Sequence, residues 1–139
     1  MNKAKINRLI YLVTKTHISE YIDYENVTHE NQNSRKEEFI SLCRSYLRMV
    51  VKEMGLNKDQ YEIRVNRGGI AVSGDIHLHS DKLYVNFSQS CLGPDFGFMF
   101  RSCKGRRDYT GGSNQWMRWE RLTDVPYVVE TFKRIQNRS

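Results

Sequence analysis

The spacing of apolar residues changes at Tyr61, and that change limits the fold more than any other feature of the chain. Before it, apolar side chains recur three and four residues apart, as on one face of a helix. After it they alternate, as on one face of a half-buried strand. Residues 4–22 carry Ile6, Leu9, Ile10, Val13, Ile18 and Ile22 as a helical stripe, which β-branching at Thr14, Thr16 and Ile18 weakens locally. The polar run DYENVTHENQN, residues 23–33, reads as a linker. Ser34 and Glu37 have capping-box spacing and predict a helix start, followed by Phe39, Leu42, Cys43, Tyr46, Leu47, Val50 and Met54 on one side. Gly55 is the expected left-handed terminator, with Leu56 folding back.

Past Tyr61 the segments YEIRVN, IAVSGDIHLH, KLYVNFSQ and FGFMFRS read as four antiparallel strands, with Ser80-Asp81 as a two-residue turn. WMRWERL is expected to form a fifth, edge strand. Asp124 can cap a last helix with Pro126 in its first turn and Val128, Val129, Phe132 and Ile135 inward. The fold class that follows is α+β: two N-terminal helices, an antiparallel four- to five-stranded sheet and a C-terminal helix. With 139 residues the chain suits one domain, residues 1–139. Residues 1–56 form its helical part, 57–122 the sheet with a long basic loop at 103–115, and 123–139 the last helix.

Charge is distributed unevenly. Residues 101–139 hold nine basic and four acidic side chains, against thirteen and twelve in residues 1–100, and they also hold both tryptophans. A basic segment with aromatic residues points to a phosphate-bearing partner, either a small nucleotide or nucleic acid. Nucleic acid fits less well, because the charge gathers in one loop instead of a long stripe. The same charge also suits an ordinary solubilising surface. No apolar run reaches the roughly 20 residues of a membrane span, so no membrane partner is expected. No cleavable leader is recognisable, which predicts a cytoplasmic location. Cys43, Cys91 and Cys103 form no CxxC pair and predict neither a zinc ribbon nor a disulfide framework.

Alternation also sorts the polar residues. If Ile76 and Leu78 face the helices, Asp75, His77 and His79 face away, and Arg64, Tyr84, Asn86 and Arg101 share that outer face. Arginine offers a planar fork to phosphate, and asparagine both donates and accepts. An outer face of this kind can equally be plain solvated surface. His77 and His79 have the spacing of two metal ligands on a strand, but no third and fourth ligands accompany them, so no metal or other cofactor is expected. No GxSxG or GxxxxGK[ST] motif occurs, and Asp75, Asp81 and Asp108 stand apart in sequence, so no catalytic set is assigned. A phosphodiesterase resting on His77 and His79 is the weaker alternative.

The loop KGRRDYTGG, residues 104–112, is the richest segment. Its glycines would let backbone amides approach an anion, and Arg106 and Arg107 would supply charged hydrogen bonds. Asp108 could accept from a ribose hydroxyl or orient an arginine, and Tyr109 or Trp116 could stack on a base. Phe87 alternates with Leu83 and Val85 and belongs with the core. The expected ligand site is therefore Arg64, His77, Asn86, Arg101, Arg106, Arg107, Asp108, Tyr109 and Trp116. A hairpin loop with solvated arginines is the plainer reading of the same residues.

The stretch from Gly74 to Gly112, GDIHLHSDKLYVNFSQSCLGPDFGFMFRSCKGRRDYTGG, resembles the phage-encoded anti-Thoeris sponge family, Thoeris anti-defence protein 1. The resemblance implies a non-enzymatic, oligomeric protein that sequesters a cyclic ADP-ribose signal made by a bacterial immune TIR enzyme. Tyr11 and Leu12 lie outside the main stripe of the first helix, and this predicts self-association through the N-terminal helices. A protein inhibitor of a host factor is a further alternative, with no sequence signature of its own.

Overall fold

A computed structural model describes residues 1–14, 29–67, 74–88, 97–108 and 110–138, with the backbone alone for 29–35. Its elements are α1 (Lys3–Thr14), α2 (His29–Glu53), β1 (Tyr61–Asn66), β2 (Asp75–Ser80), β3 (Leu83–Ser88), β4 (Phe98–Ser102), β5 (Gln115–Met117) and α3 (Val125–Gln136). The five strands form one antiparallel sheet in sequence order. The α+β fold with two N-terminal helices, a meander and a C-terminal helix is thus the fold of the chain.

One apolar cluster joins α1, α2 and α3 to the inner face of the sheet. Ile76, Leu78, Leu83, Val85, Phe87, Phe98 and Phe100 project from β2, β3 and β4 into Leu9, Phe39, Tyr46, Leu47, Val50, Trp119 and Phe132. Phe87 lies at its centre, with ring centroids 4.7 Å from Phe98 and 5.2 Å from Trp119. Tyr46 is completely buried and its hydroxyl donates to the Leu122 carbonyl at 2.8 Å, which satisfies the one polar atom that its ring carries inward. Burial pushes that phenol well above its ordinary pKa.

The end of α2 follows its sequence signal. Gly55 has φ +77°, the Leu56 amide donates to the Val51 carbonyl at 3.0 Å, and the Gly55 amide donates to Lys52 at 3.0 Å. These are the two bonds of a Schellman motif. The start of α2 does not follow it. The helix begins at His29, so residues 29–33 are helical and not linker, and Ser34 sits inside the helix. Backbone carbonyls upstream take the amide bonds that a cap would otherwise supply. The rest of the expected linker and the second half of the 4–22 stripe lie outside the described residues.

Two further boundaries move. Ser80 remains in β2 and the turn is Asp81-Lys82, because the Ser80 hydroxyl accepts from the Leu83 and Lys82 amides at 2.9 and 3.2 Å. The expected strand WMRWERL is cut short at Met117, and Trp119–Thr123 is a 3-10 turn. Trp119 and Leu122 are three residues apart. A 3-10 turn stacks such residues on one side, and both are buried, whereas a strand would send them to opposite faces. Gly97 permits the closeness of β4 and β5: it has φ +76°, and a Cβ there would lie 1.9 Å from the Met117 carbonyl oxygen.

Asp124 caps α3 as expected, accepting from the Tyr127 amide at 3.3 Å, and Val128, Val129, Phe132 and Ile135 are its buried side. In α1, Leu12 is buried at 1% exposure and belongs to the core, while Tyr11 is 48% exposed with the Arg8 guanidinium over its ring. Of the two side chains expected outside the stripe, only Tyr11 is outside. Among the described residues, no helix is long and apolar enough to cross a membrane.

Candidate functional site

Strand register assembles the outer face into rows. Arg64, His77, Asn86, Met99 and Trp116 are successive cross-strand neighbours from β1 to β5. Glu62, His79, Tyr84 and Arg101 form the next row. Side chains directly opposite or one step diagonal across strands are within reach of one another. The polar residues of these rows use that reach to bond among themselves.

The first bonded group centres on His77. Its Nε2 lies 3.2 Å from Asp75 Oδ1, and its Nδ1 lies 2.5 Å from the Tyr84 hydroxyl. Asn86 Nδ2 donates to that hydroxyl at 3.2 Å. A consistent assignment has the imidazole accepting the phenol proton at Nδ1, while the approach of Nε2 to Asp75 is a close contact without hydrogen-bond geometry, Asp75 Oδ1 having no hydrogen-bond partner. His77, Tyr84 and Asn86 therefore form an imidazole–phenol–amide chain, with the Asp75 carboxylate beside the imidazole. Tyr84 is 6% exposed, and its ring packs edge-on against His79 at 5.2 Å.

The second group centres on His79, which is completely buried. Arg64 Nη2 lies 3.1 Å from His79 Nδ1, and the Arg107 amide donates to the same nitrogen at 3.4 Å. Two N–H donors converge on Nδ1, so that atom carries the lone pair and the ring is neutral. Burial, followed by the charge of Arg64, lowers the His79 pKa; the Gly105 backbone and Glu62 pull the other way.

The loop after β4 folds onto this second group. Gly105 and Asp108 bridge each other, which puts Arg106 and Arg107 at the tip of a tight turn. Arg106 reaches back to Glu62 at 3.7 Å, to Asp81 at 3.5 Å and to the Asp59 carbonyl. Arg101 bonds to Asn114 at 3.1 Å and to the Gly112 carbonyl, and so secures the second half of the loop. Asp108 accepts from the Thr110 amide and hydroxyl at 3.0 and 2.6 Å, and these bonds hold its carboxyl below its ordinary pKa. The glycines serve the loop's own closure. A Cβ at Gly111 would meet the Lys104 side chain at 2.6 Å, and one at Gly112 the Ser102 hydroxyl at 2.4 Å.

The sequence-derived residues thus separate by what they already hold. Arg64, His77, Asn86, Arg101, Arg106 and Asp108 are engaged by neighbouring groups of the chain. Arg107 and Lys104 are exposed on the loop, and Trp116 is 47% exposed at the β5 end of the first row. Tyr109 lies outside the described residues. Phe87 is core. Sequence reading named Tyr84 on the outer face without assigning it to the site, and it missed Glu62 and Asp81 as partners of Arg106. Register holds the signal for the first, since Tyr84 stands two residues from the partner of His77. Among the described residues no three His, Cys, Asp or Glu side chains gather as a metal-holding group.

No protein-family model matches the chain, and no curated protein or solved structure matches it.

Proposed function

We propose that the outer sheet face and the 103–115 loop bind a phosphate-bearing nucleotide of the cyclic ADP-ribose type and hold it without turnover, in the service of phage counter-defence within a bacterial cytoplasm. One observation carries this reading: the exposed side chains of this loop and of the sheet edge beside it include two cations, Arg107 and Lys104, and an indole, Trp116. Arg107 and Lys104 suit phosphate, and Trp116 suits a base. Internal bonding of the remaining groups supports holding over chemistry, because a fixed polar surface binds without rearranging.

The test is to purify the protein from bacteria that produce the signal, release bound small molecules by heat, and identify them by mass spectrometry. An intact cyclic nucleotide is the expected result. Oligonucleotide in its place would move the reading to a nucleic-acid module, and recovery of a cleaved nucleotide to an enzyme. The second of these outcomes has an observation in its favour: His77 pairs with the Tyr84 hydroxyl and has Asp75 beside its other nitrogen, the order of groups that activates a hydroxyl. Against it, Tyr84 is almost completely covered.

A further inference from the structure

We infer that His79 is the positioning residue of the tip of the Arg106–Arg107 turn, and that the Arg107 backbone is held on the sheet only while the imidazole is neutral. The inference rests on the reading of this loop as the phosphate-binding element, and it adds to that reading a control by protons.

Arg107 has φ +65°, the only non-glycine residue in the left-handed region among those described. A residue with a Cβ adopts that conformation at a cost, so something must hold it there. The Asp108 amide closes the turn on the Gly105 carbonyl at 3.0 Å, and the contact that joins its tip to the sheet is the Arg107 amide on His79 Nδ1. The Arg107 side chain is exposed, where a phosphate could meet it.

Protonation turns the acceptor into a donor. A ring with N–H on both nitrogens cannot accept from the Arg107 amide or from Arg64. The cation would also face a strongly biased set of neighbours. Arg64 and Glu62 stand on β1, His77 on β2, Tyr84 on β3, Arg106 and Arg107 on the loop, and Asp81 in the β2–β3 turn. The two acids are already shared with Arg106, and Glu62 with Arg64 as well. The lowered pKa of His79 agrees with this, and gives the sign. A group held neutral in the native state favours folding and docking above its unfolded pKa, ordinarily about 6.5, and that contribution is lost as pH falls through the folded value.

The experiment follows the Arg107 amide and the His79 ring protons by NMR from about pH 8 to pH 4.5, in the parent and in Arg107→Gly. The glycine variant keeps the amide donor, relieves the positive φ and removes the guanidinium. The expected result in both proteins is a single transition shared by the amide and the ring, with a midpoint below that of a free imidazole. An Arg107 amide that stays put while His79 titrates overturns the inference, as does a His79 midpoint at or above the free value. His79→Gln keeps a neutral acceptor and is expected to abolish the transition with the loop still docked; the first two proteins decide the matter even without it. A separate arm titrates cyclic ADP-ribose at about pH 7.5 and pH 5. The parent should bind at least tenfold more weakly at the lower pH. No binding at either pH would count against the nucleotide reading alone, since the amide transition is read without ligand.

Discussion

The two faces of the sheet are built from the same five strands and teach opposite lessons. The inner face is continuous apolar surface, with Ile76, Leu78, Leu83, Val85 and Phe87 all at zero exposure. The outer face is a set of paired polar groups: hydrogen bonds of Tyr84 to His77 and Arg64 to His79, and the charge contacts of Asp75 with His77 and of Arg106 with Glu62 and Asp81. Burial of carbon needs only the right side of the strand. A hydrogen-bond chain needs the right partner at the right step of the neighbouring strand. The inner face therefore carries stability through area and packing, and the outer face carries geometry.

Breaking the inner face should have the largest effect. Phe87→Ala removes a ring packed against Phe98, Trp119 and Tyr46, and should cost about 3–5 kcal/mol in urea unfolding. On the outer face, Tyr84→Phe deletes one oxygen and leaves the ring. It removes the donor to His77 and the acceptor of Asn86, and should cost about 1–2 kcal/mol by the same measurement. A loss as large as that of Phe87→Ala would mean that the polar face is not subordinate in stability.

Arg106→Ala should cost less again, on the order of 1 kcal/mol or below, since its ion pairs are partly solvated. Its stronger signature should be earlier tryptic cleavage within the 103–108 loop. The smallest effect belongs to a pair off the sheet altogether. The hydrogen bond from Arg67 holds the Glu37 carboxyl below its ordinary pKa of 4.5. Its contribution is present above that value and lost as pH falls through the lowered folded value. Both side chains are about half exposed, so a small acid-range dip in the urea midpoint should vanish in Glu37→Gln and in high salt.

The same contrast explains what could be read from the chain. Alternation identified Ile76, Leu78, Val85 and Phe87 as inward and Arg64, His77, Asn86 and Arg101 as outward, because period 2 fixes the face of every strand residue. It could not say which outward groups bond to each other. That depends on the pairing of His79 with Glu62 and Tyr84, a fact about two strands at once. Local signals succeeded where the partner is local, as at Gly55 and Asp124. They failed at Ser34, where a helix already in progress made the cap unnecessary, and at Trp119, where burial of a pair three residues apart favoured a 3-10 turn over a longer strand. In the loop, arginines that share a sequence motif have different tasks: Arg106 fastens the turn to β1, and Arg107 is exposed at its tip.

That division between Arg106 and Arg107 is the centre of the account, and calorimetric titration with cyclic ADP-ribose at neutral pH tests it most directly. The parent should bind and return the nucleotide intact on chromatography. A charged hydrogen bond to phosphate contributes roughly 1.5–3 kcal/mol, so Arg107→Ala should bind about ten- to a hundredfold more weakly with its melting temperature unchanged. An Arg107→Ala protein that binds as tightly as the parent, or a parent that gives no heat of binding, would contradict it.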